Sequence, residues 1–207
     1  MGRIRVFRRS AYLPLMRSAF QLCLATAGKQ VPSGPEWFHE VKHDGYRMLV
    51  IRENARVRLL SRNGSDWTKR YPWIAEAALK NRQRHFVIDG EVVIFGVDRI
   101  SDFNALHSRK HDHEVQLYAF DVLAIGGDDL RDLPLHLRKT KLETLLAHRP
   151  DGITVAPFER GEMTGLTGAG DRSTGSRCYG AGRTARVCGT LGALSKDTKG
   201  APHVATF

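Results

Sequence analysis

Cysteine is scarce in this chain. Cys23, Cys178 and Cys188 are the three in 207 residues, and none is paired at C-x-x-C spacing. So few, odd in number and so placed, they argue against a disulfide framework and a cysteine zinc site and fit a reducing compartment. Long apolar runs are missing too: nothing approaches the roughly 20 residues that cross a bilayer as a helix. Acidic residues are outnumbered, 22 against 32 Lys and Arg, for a formal net charge of +10 and a pI near 9.9. A polyanion is therefore the expected partner, with nucleic acid the first candidate beside the plainer reading of an ordinary basic protein. Residues 1–30 contain no acid at all but carry Arg3, Arg5, Arg8, Arg9 and Arg17. A secretory leader has that layout, with SAFQLCLATA as its apolar part. Pro14 and Arg17 interrupt it, and a basic arm along a nucleic acid has the same composition.

What is present begins with VPSGPEW, residues 31–37, a Pro/Gly-rich stretch that opens the organised part. Short strand-like runs follow at Trp37–Val41, Tyr46–Ile51 and Arg56–Ser61, the last two separated by the turn-like ENA. Residues 71–80 read as a helix with Ile74, Ala77, Ala78 and Leu79 on one face. Residues 86–95 read as a strand broken at Asp89-Gly90, 101–107 as a short helix, and 115–125 as the most strand-like segment, with GGDD as a turn behind it. A helix over 134–148, with Leu137, Leu142, Leu145 and Leu146 inward, precedes a strand at 153–158. Irregular alternation with hairpin-like links predicts an α+β fold of mainly antiparallel sheets with flanking helices. After Glu159 the composition turns Gly-, Thr-, Arg- and Ala-rich without either period. The expected organisation is a basic arm over 1–30, a folded domain over 31–160, and a degenerate or poorly ordered tail over 161–207.

Four polar clusters lie in or beside strands: Lys42-x-Asp44-Gly45-x-Arg47, Ser61-Arg62-Asn63-Gly64, Asp89-Gly90-Glu91 and Tyr118-x-Phe120-Asp121. Ionisable groups that recur at strand ends are expected to meet in a cleft. A lysine there becomes a nucleophile when neighbouring cations or desolvation lower its pKa. Arginines suit a phosphate or ribose clamp, a glutamate can accept from a ribose hydroxyl or help hold a metal, and an aromatic ring can stack on a base. These residue types together point to a covalent lysine site for a nucleotide.

The same residues resemble the nucleotidyltransferase (adenylation) domain of ATP-dependent DNA ligases, an ATP-grasp-like fold, and especially the bacterial forms related to end-joining ligases. KHDGYR is similar to the family's K-x-D-G-x-R motif, SRNG to the next, VIDGEVVIF to the third and LYAFDVL to the fourth; LRDLPLHLRKTKLETLL resembles the segment that follows them. One such pattern arises by chance, whereas four in family order are specific. The resemblance implies that Lys42 accepts AMP from ATP and that Arg47 and Arg62 contact sugar and phosphates. It implies further that Glu91 holds the ribose or supports a metal, that Phe120 stacks on adenine, and that Glu40 is a weaker candidate for the adenine edge. His39 and His43 are read as incidental. Magnesium is implied as cofactor, nicked or broken double-stranded DNA as partner with room for separate repair proteins, and the cytoplasm as location, in DNA repair and recombination.

The family's later motifs, an E-G-x-V-x-K-like strand and a K-x-K-like pair, have no clear counterpart. Leu191-Gly-Ala-Leu-Ser-Lys196 comes nearest but has leucine in place of the glutamate, and Lys199 is not spaced as the pair requires. An OB-fold domain is not expected within these 207 residues, which suggests a truncated or frame-disrupted product. The expected activity is therefore nick sealing through lysyl-AMP, self-adenylation alone, or none. Two alternatives stand beside it: a non-catalytic DNA- or nucleotide-binding remnant, and an RNA ligase or capping-type nucleotidyltransferase.

Overall fold

The computed structural model describes residues 20, 26–27, 34–35, 37–97, 99–148, 151–161, 176–180, 187–188 and 205–206. In chain order the elements are β1 (Thr26–Ala27), β2 (Trp37–Val41), β3 (Tyr46–Glu53), β4 (Arg56–Ser61), α1 (Pro72–Lys80) and β5 (His85–Val93). They continue with α2 (Phe103–Ser108), β6 (Gln116–Ile125), β7 (Asp128–Asp129), α3 (Leu135–Leu145), β8 (Ile153–Val155), β9 (Phe158–Arg160), β10 (Ser176–Gly180), β11 (Val187–Cys188) and β12 (Ala205–Thr206). The α+β architecture of mainly antiparallel sheets is as the alternation predicts. One six-stranded sheet runs β4-β3-β5-β6-β7, with β8 beside β6; the other runs β1-β12-β10-β2-β9, with β11 beside β10. Among the described residues, only β6–β8 and β1–β12 pair in parallel.

Strand alternation gives the first sheet two different faces. Met48, Val50, Ile88, Val92, Leu117 and Val122 point into the main core, which Ile74 and Ala78 of α1 and Leu142 of α3 close. The opposite face begins apolar, with Leu49, Ile51, Val87 and Leu123 packed around Phe20. It then turns polar at Arg47, Asp89 and Glu91, the same alternating positions further along β3 and β5. That change from apolar to polar on one face locates the candidate site.

Several expected boundaries shift for identifiable reasons. The strand through Asp89-Gly90 is unbroken, because Gly90 lets β6 come close: a Cβ there would lie 2.8 Å from the Tyr118 carbonyl. The strand expected over 153–158 divides into β8 and β9, which join different sheets on either side of Ala156-Pro157. Pro157 has no N–H to continue a ladder. In GGDD only the two glycines turn, and Asp128–Asp129 folds back onto β6 as β7. Leu137 is exposed on α3, whereas Arg138 and Lys139 are buried. The helix crosses β6 where Asp121 and the Phe120 carbonyl take up buried donors.

Most of residues 1–30 and 161–207 lie outside the described residues, and so does the candidate later motif at Leu191–Lys196 with Lys199. Within 161–207, β10 pairs with all of β2. Helix α2 starts at Asp102, whose carboxylate accepts from the Ala105 N–H at 2.9 Å. Asp102→Ala should lower stability by about 1 kcal/mol, the usual worth of an N-cap, read as a shift in denaturant midpoint at constant slope.

Candidate active site

β2 ends at Val41, and the next residue, Lys42, opens the loop to β3 with a side chain 29% exposed. Its Nζ lies 4.0 Å from Asp44 Oδ1, and Asp44 itself points largely to solvent. Gly45 is pressed onto β5. A Cβ at this position would meet the Val92 carbonyl oxygen at 2.3 Å, Val93 Cγ1 at 2.8 Å and Glu91 Cγ at 3.0 Å. The close approach that glycine permits here is to protein backbone, and it holds the lysine loop directly over Glu91.

Arg47, on β3, pairs in register with Glu91. Its guanidinium forks onto Asp89, with Nε at 3.0 Å from Oδ1 and Nη2 at 2.8 Å from Oδ2. Asp89 is fully buried, so a charge there needs this bidentate partner. The same guanidinium lies 5.2 Å from the centre of the Phe120 ring, a cation–π contact. β6 carries a register irregularity at this point: Asp89 faces Asp121, the next residue Gly90 faces Ala119, and Phe120 is left over as the extra residue. Bulges of this kind re-aim side chains beside active sites. Burial pushes the Tyr118 phenol up, with Arg99 opposing, and keeps it a neutral hydroxyl.

Glu40, on β2 of the other sheet, is almost wholly buried and ion-paired with Lys139 of α3. The Lys139 ammonium also donates to the Phe120 carbonyl at 2.8 Å and lies 4.8 Å from the Phe158 ring centre. The preceding residue, Arg138, donates from Nε to Asp121 Oδ1 at 2.9 Å and from Nη1 to the Leu133 carbonyl at 2.6 Å. Two adjacent cations on one helix thus tie the β6 bulge to β2.

The structure brings Lys42, Arg47, Glu91 and Phe120 to one end of the first sheet and joins Glu40 to Phe120 through Lys139. Arg62 is exposed in the turn after β4, one step past the Met48–Ser61 pair, on the rim rather than in the cluster. Of the residues read as incidental, His39 is buried with Nε2 2.8 Å from the Gly161 carbonyl, and the His43 ring packs against Phe95 and Tyr118. Asp89, Lys139 and Ser101 were not singled out as site residues. Asp89 lies in VIDGEVVIF two residues before Glu91, so the strand period places it on the same face as Arg47's partner in register. Lys139 is 99 positions from Glu40, and no local spacing points to that pairing.

Among the described residues no group of three or more His, Cys, Asp or Glu could hold a metal. Glu91 is one carboxylate beneath the loop, while Asp89 is engaged by Arg47. That donor set suits a magnesium ion carried mainly by substrate phosphates, which needs only one or two protein carboxylates, and does not suit an all-protein cage. Among the described residues no helix is long and apolar enough to cross a membrane.

A family model described as the ATP dependent DNA ligase domain matches residues 23–164. The chain is 37% identical over 131 residues to the multifunctional non-homologous end joining protein LigD of Pseudomonas aeruginosa, covering 62% of this chain and 16% of that protein. It is 36% identical over 135 residues to DNA ligase C2 of Mycolicibacterium smegmatis, covering 60% and 37% respectively. Among solved structures, a mycobacterial DNA ligase D complexed with ATP and MES superposes with a TM-score of 0.64 at 31% identity, covering 77% of this chain and 53% of that one. The ligase domain from M. tuberculosis LigD gives 0.64 at 32% identity, over 76% and 52%. The chain therefore spans well under half the length of these curated relatives and about half of each solved chain.

Proposed function

The chain belongs to the ATP-dependent DNA ligase domain family, and from that premise we propose that Lys42 is the residue to which AMP is covalently transferred from ATP. The observation that carries this reading is the placement of Lys42, part-exposed on a loop held against β5 over Glu91, with Arg47 and Phe120 on the adjoining sheet face.

In the proposed step Lys42 gives up its ammonium proton to solvent, the Nζ lone pair forms a P–N bond to the α-phosphorus, and the nitrogen releases a second proton to solvent as the phosphoramidate forms. The bond from that phosphorus to the bridging oxygen breaks, and pyrophosphate leaves with the electron pair. Phe120, nearly buried with Arg47 over its ring, is the side chain that would stack on adenine. Glu40, a buried carboxylate ion-paired with Lys139, would accept from the N6 amino donor of adenine and matches it better than the O6 acceptor of guanine. Arg47, held by Asp89, would contact the sugar, while Arg62 would reach phosphate from the rim. Magnesium, which Glu91 would hold together with the nucleotide, supplies neutralisation of the charge that builds on the transferring phosphoryl group.

The full reaction proposed is nick sealing: AMP passes from Lys42 to a 5′-phosphate at a break, and a 3′-hydroxyl displaces it. A net charge of +10 supports binding of double-stranded DNA, in DNA repair and recombination in the cytoplasm, with or without further repair proteins. The same charge favours one second reading, a domain that binds DNA without forming a covalent adenylate.

Incubation with α-labelled ATP or α-labelled GTP and magnesium, followed by denaturation, separates these readings. Label from ATP that survives denaturation, is removed by pyrophosphate and is absent in Lys42→Ala is the expected result. Preferential labelling by GTP points to capping-type chemistry. Salt-sensitive DNA binding with no label from either nucleotide supports the non-catalytic reading.

A further inference from the structure

Residues 94–97 and 99–107 contact the loop that bears Lys42 and the first residue of β3 at several points, beside the contacts His43 makes with Tyr118 and Gly45 makes with β5. The Phe95 ring meets His43 edge-on at 5.3 Å. Ser101 Oγ accepts from the Asp44 N–H at 3.0 Å. Phe103 packs on the Tyr46 ring at 5.4 Å, and the Tyr46 hydroxyl is 2.8 Å from His107 Nδ1. The contacts follow the loop in order, at residues 43, 44 and 46, while Gly45 is seated on β5 from beneath.

The segment is itself braced. Phe95 and Ser101 form an antiparallel bridge, the Gly96 N–H donates to the Ile100 carbonyl at 2.9 Å, and the Asp102 N–H donates to the Ile94 carbonyl at 2.8 Å. A rigid element therefore fixes the backbone from which the long, flexible Lys42 side chain extends.

We infer that residues 94–97 and 99–107 form a positioning element of the Lys42 loop and that Ser101, through its hydrogen bond to the Asp44 amide, is a positioning residue for AMP transfer. Ser101 lies 57 residues from Asp44 and outside the K-x-D-G-x-R pattern. The bond between them is solvent-exposed, so it contributes little to global stability because water replaces it readily. Its effect falls on geometry, where a displacement of about 1 Å can lower a rate on the order of a hundredfold. The inference rests on Lys42 as the AMP acceptor.

The test compares the full chain with Ser101→Ala and Ser101→Thr by three readouts: thermal midpoint, the rate of AMP transfer across ATP concentrations, and hydrogen exchange of the Asp44 amide. Ser101→Ala is expected to keep its thermal midpoint and half-saturating ATP concentration, to lose roughly ten- to a hundredfold in the saturated rate, and to exchange faster at Asp44. Ser101→Thr, which retains the hydroxyl, restores both the rate and the protection. Wild-type rate in Ser101→Ala overturns the inference, and so does a lowered rate without faster Asp44 exchange. If the wild-type chain takes no AMP, the adenylation reading fails on its own. Asp44 exchange then decides whether Ser101 holds the loop, unchanged exchange in Ser101→Ala being the overturning result.

Discussion

Lys139→Met is expected to destabilise the fold by about 3–5 kcal/mol, the usual consequence of leaving a buried charge without its partner. Lys139 of α3 and Glu40 of β2 are each almost wholly buried and ion-paired, and the same ammonium holds the Phe120 carbonyl of β6. Removing it strands the Glu40 carboxylate, which must then take up a proton or admit water. Pairing Lys139→Met with Glu40→Gln removes the stranded charge and should recover most of the loss, since a buried ion pair contributes little net stability over neutral groups of similar volume. Denaturant midpoints of the wild type, both single variants and the double variant complete the cycle. A double variant no more stable than Lys139→Met would show that Lys139 acts through packing on Phe158 rather than through charge.

Gly45→Ala should abolish AMP transfer while costing about 1–3 kcal/mol of stability. The added Cβ would sit 2.3 Å from the Val92 carbonyl oxygen. That oxygen belongs to the backbone of a central strand paired on both sides, with little freedom to shift. Relief must come from the loop, which would lift away from Glu91 and carry Lys42 with it. Overpacking of this kind typically costs about 1–3 kcal/mol. The transfer rate should fall further than stability alone explains, which a single-turnover assay well below the unfolding temperature would read. Equal rates in Gly45→Ala and wild type would mean that the loop tolerates displacement.

Much of this arrangement was legible in the sequence. Trp37–Val41 and Arg56–Ser61 stand as strands with the expected ends, because alternation and flanking turn residues specify them locally. Arg47 and Glu91 come together because register between neighbouring antiparallel strands brings motif residues side by side, and the close seat of Gly45 on β5 holds the Lys42 loop beside them. The inward-facing Arg138 and Lys139 were not legible. A helix written LHLRKTKLETL reads as having its leucines inside and its charges outside, yet it buries an arginine and a lysine against partners on β6 and β2. Those partners are fixed by tertiary contact, and periodicity within one helix carries no record of them. The β6 bulge escaped for a similar reason, since it depends on β5 beside it rather than on residues 116–125 alone.

The most direct measurement is peptide mapping by mass spectrometry after the chain is incubated with ATP and magnesium and then denatured. An adenylate mass increment on the peptide containing Lys42, reversed by pyrophosphate, is the predicted result. An adenylate on another residue, or ATP turnover with no covalent adenylate anywhere on the chain, would contradict the account.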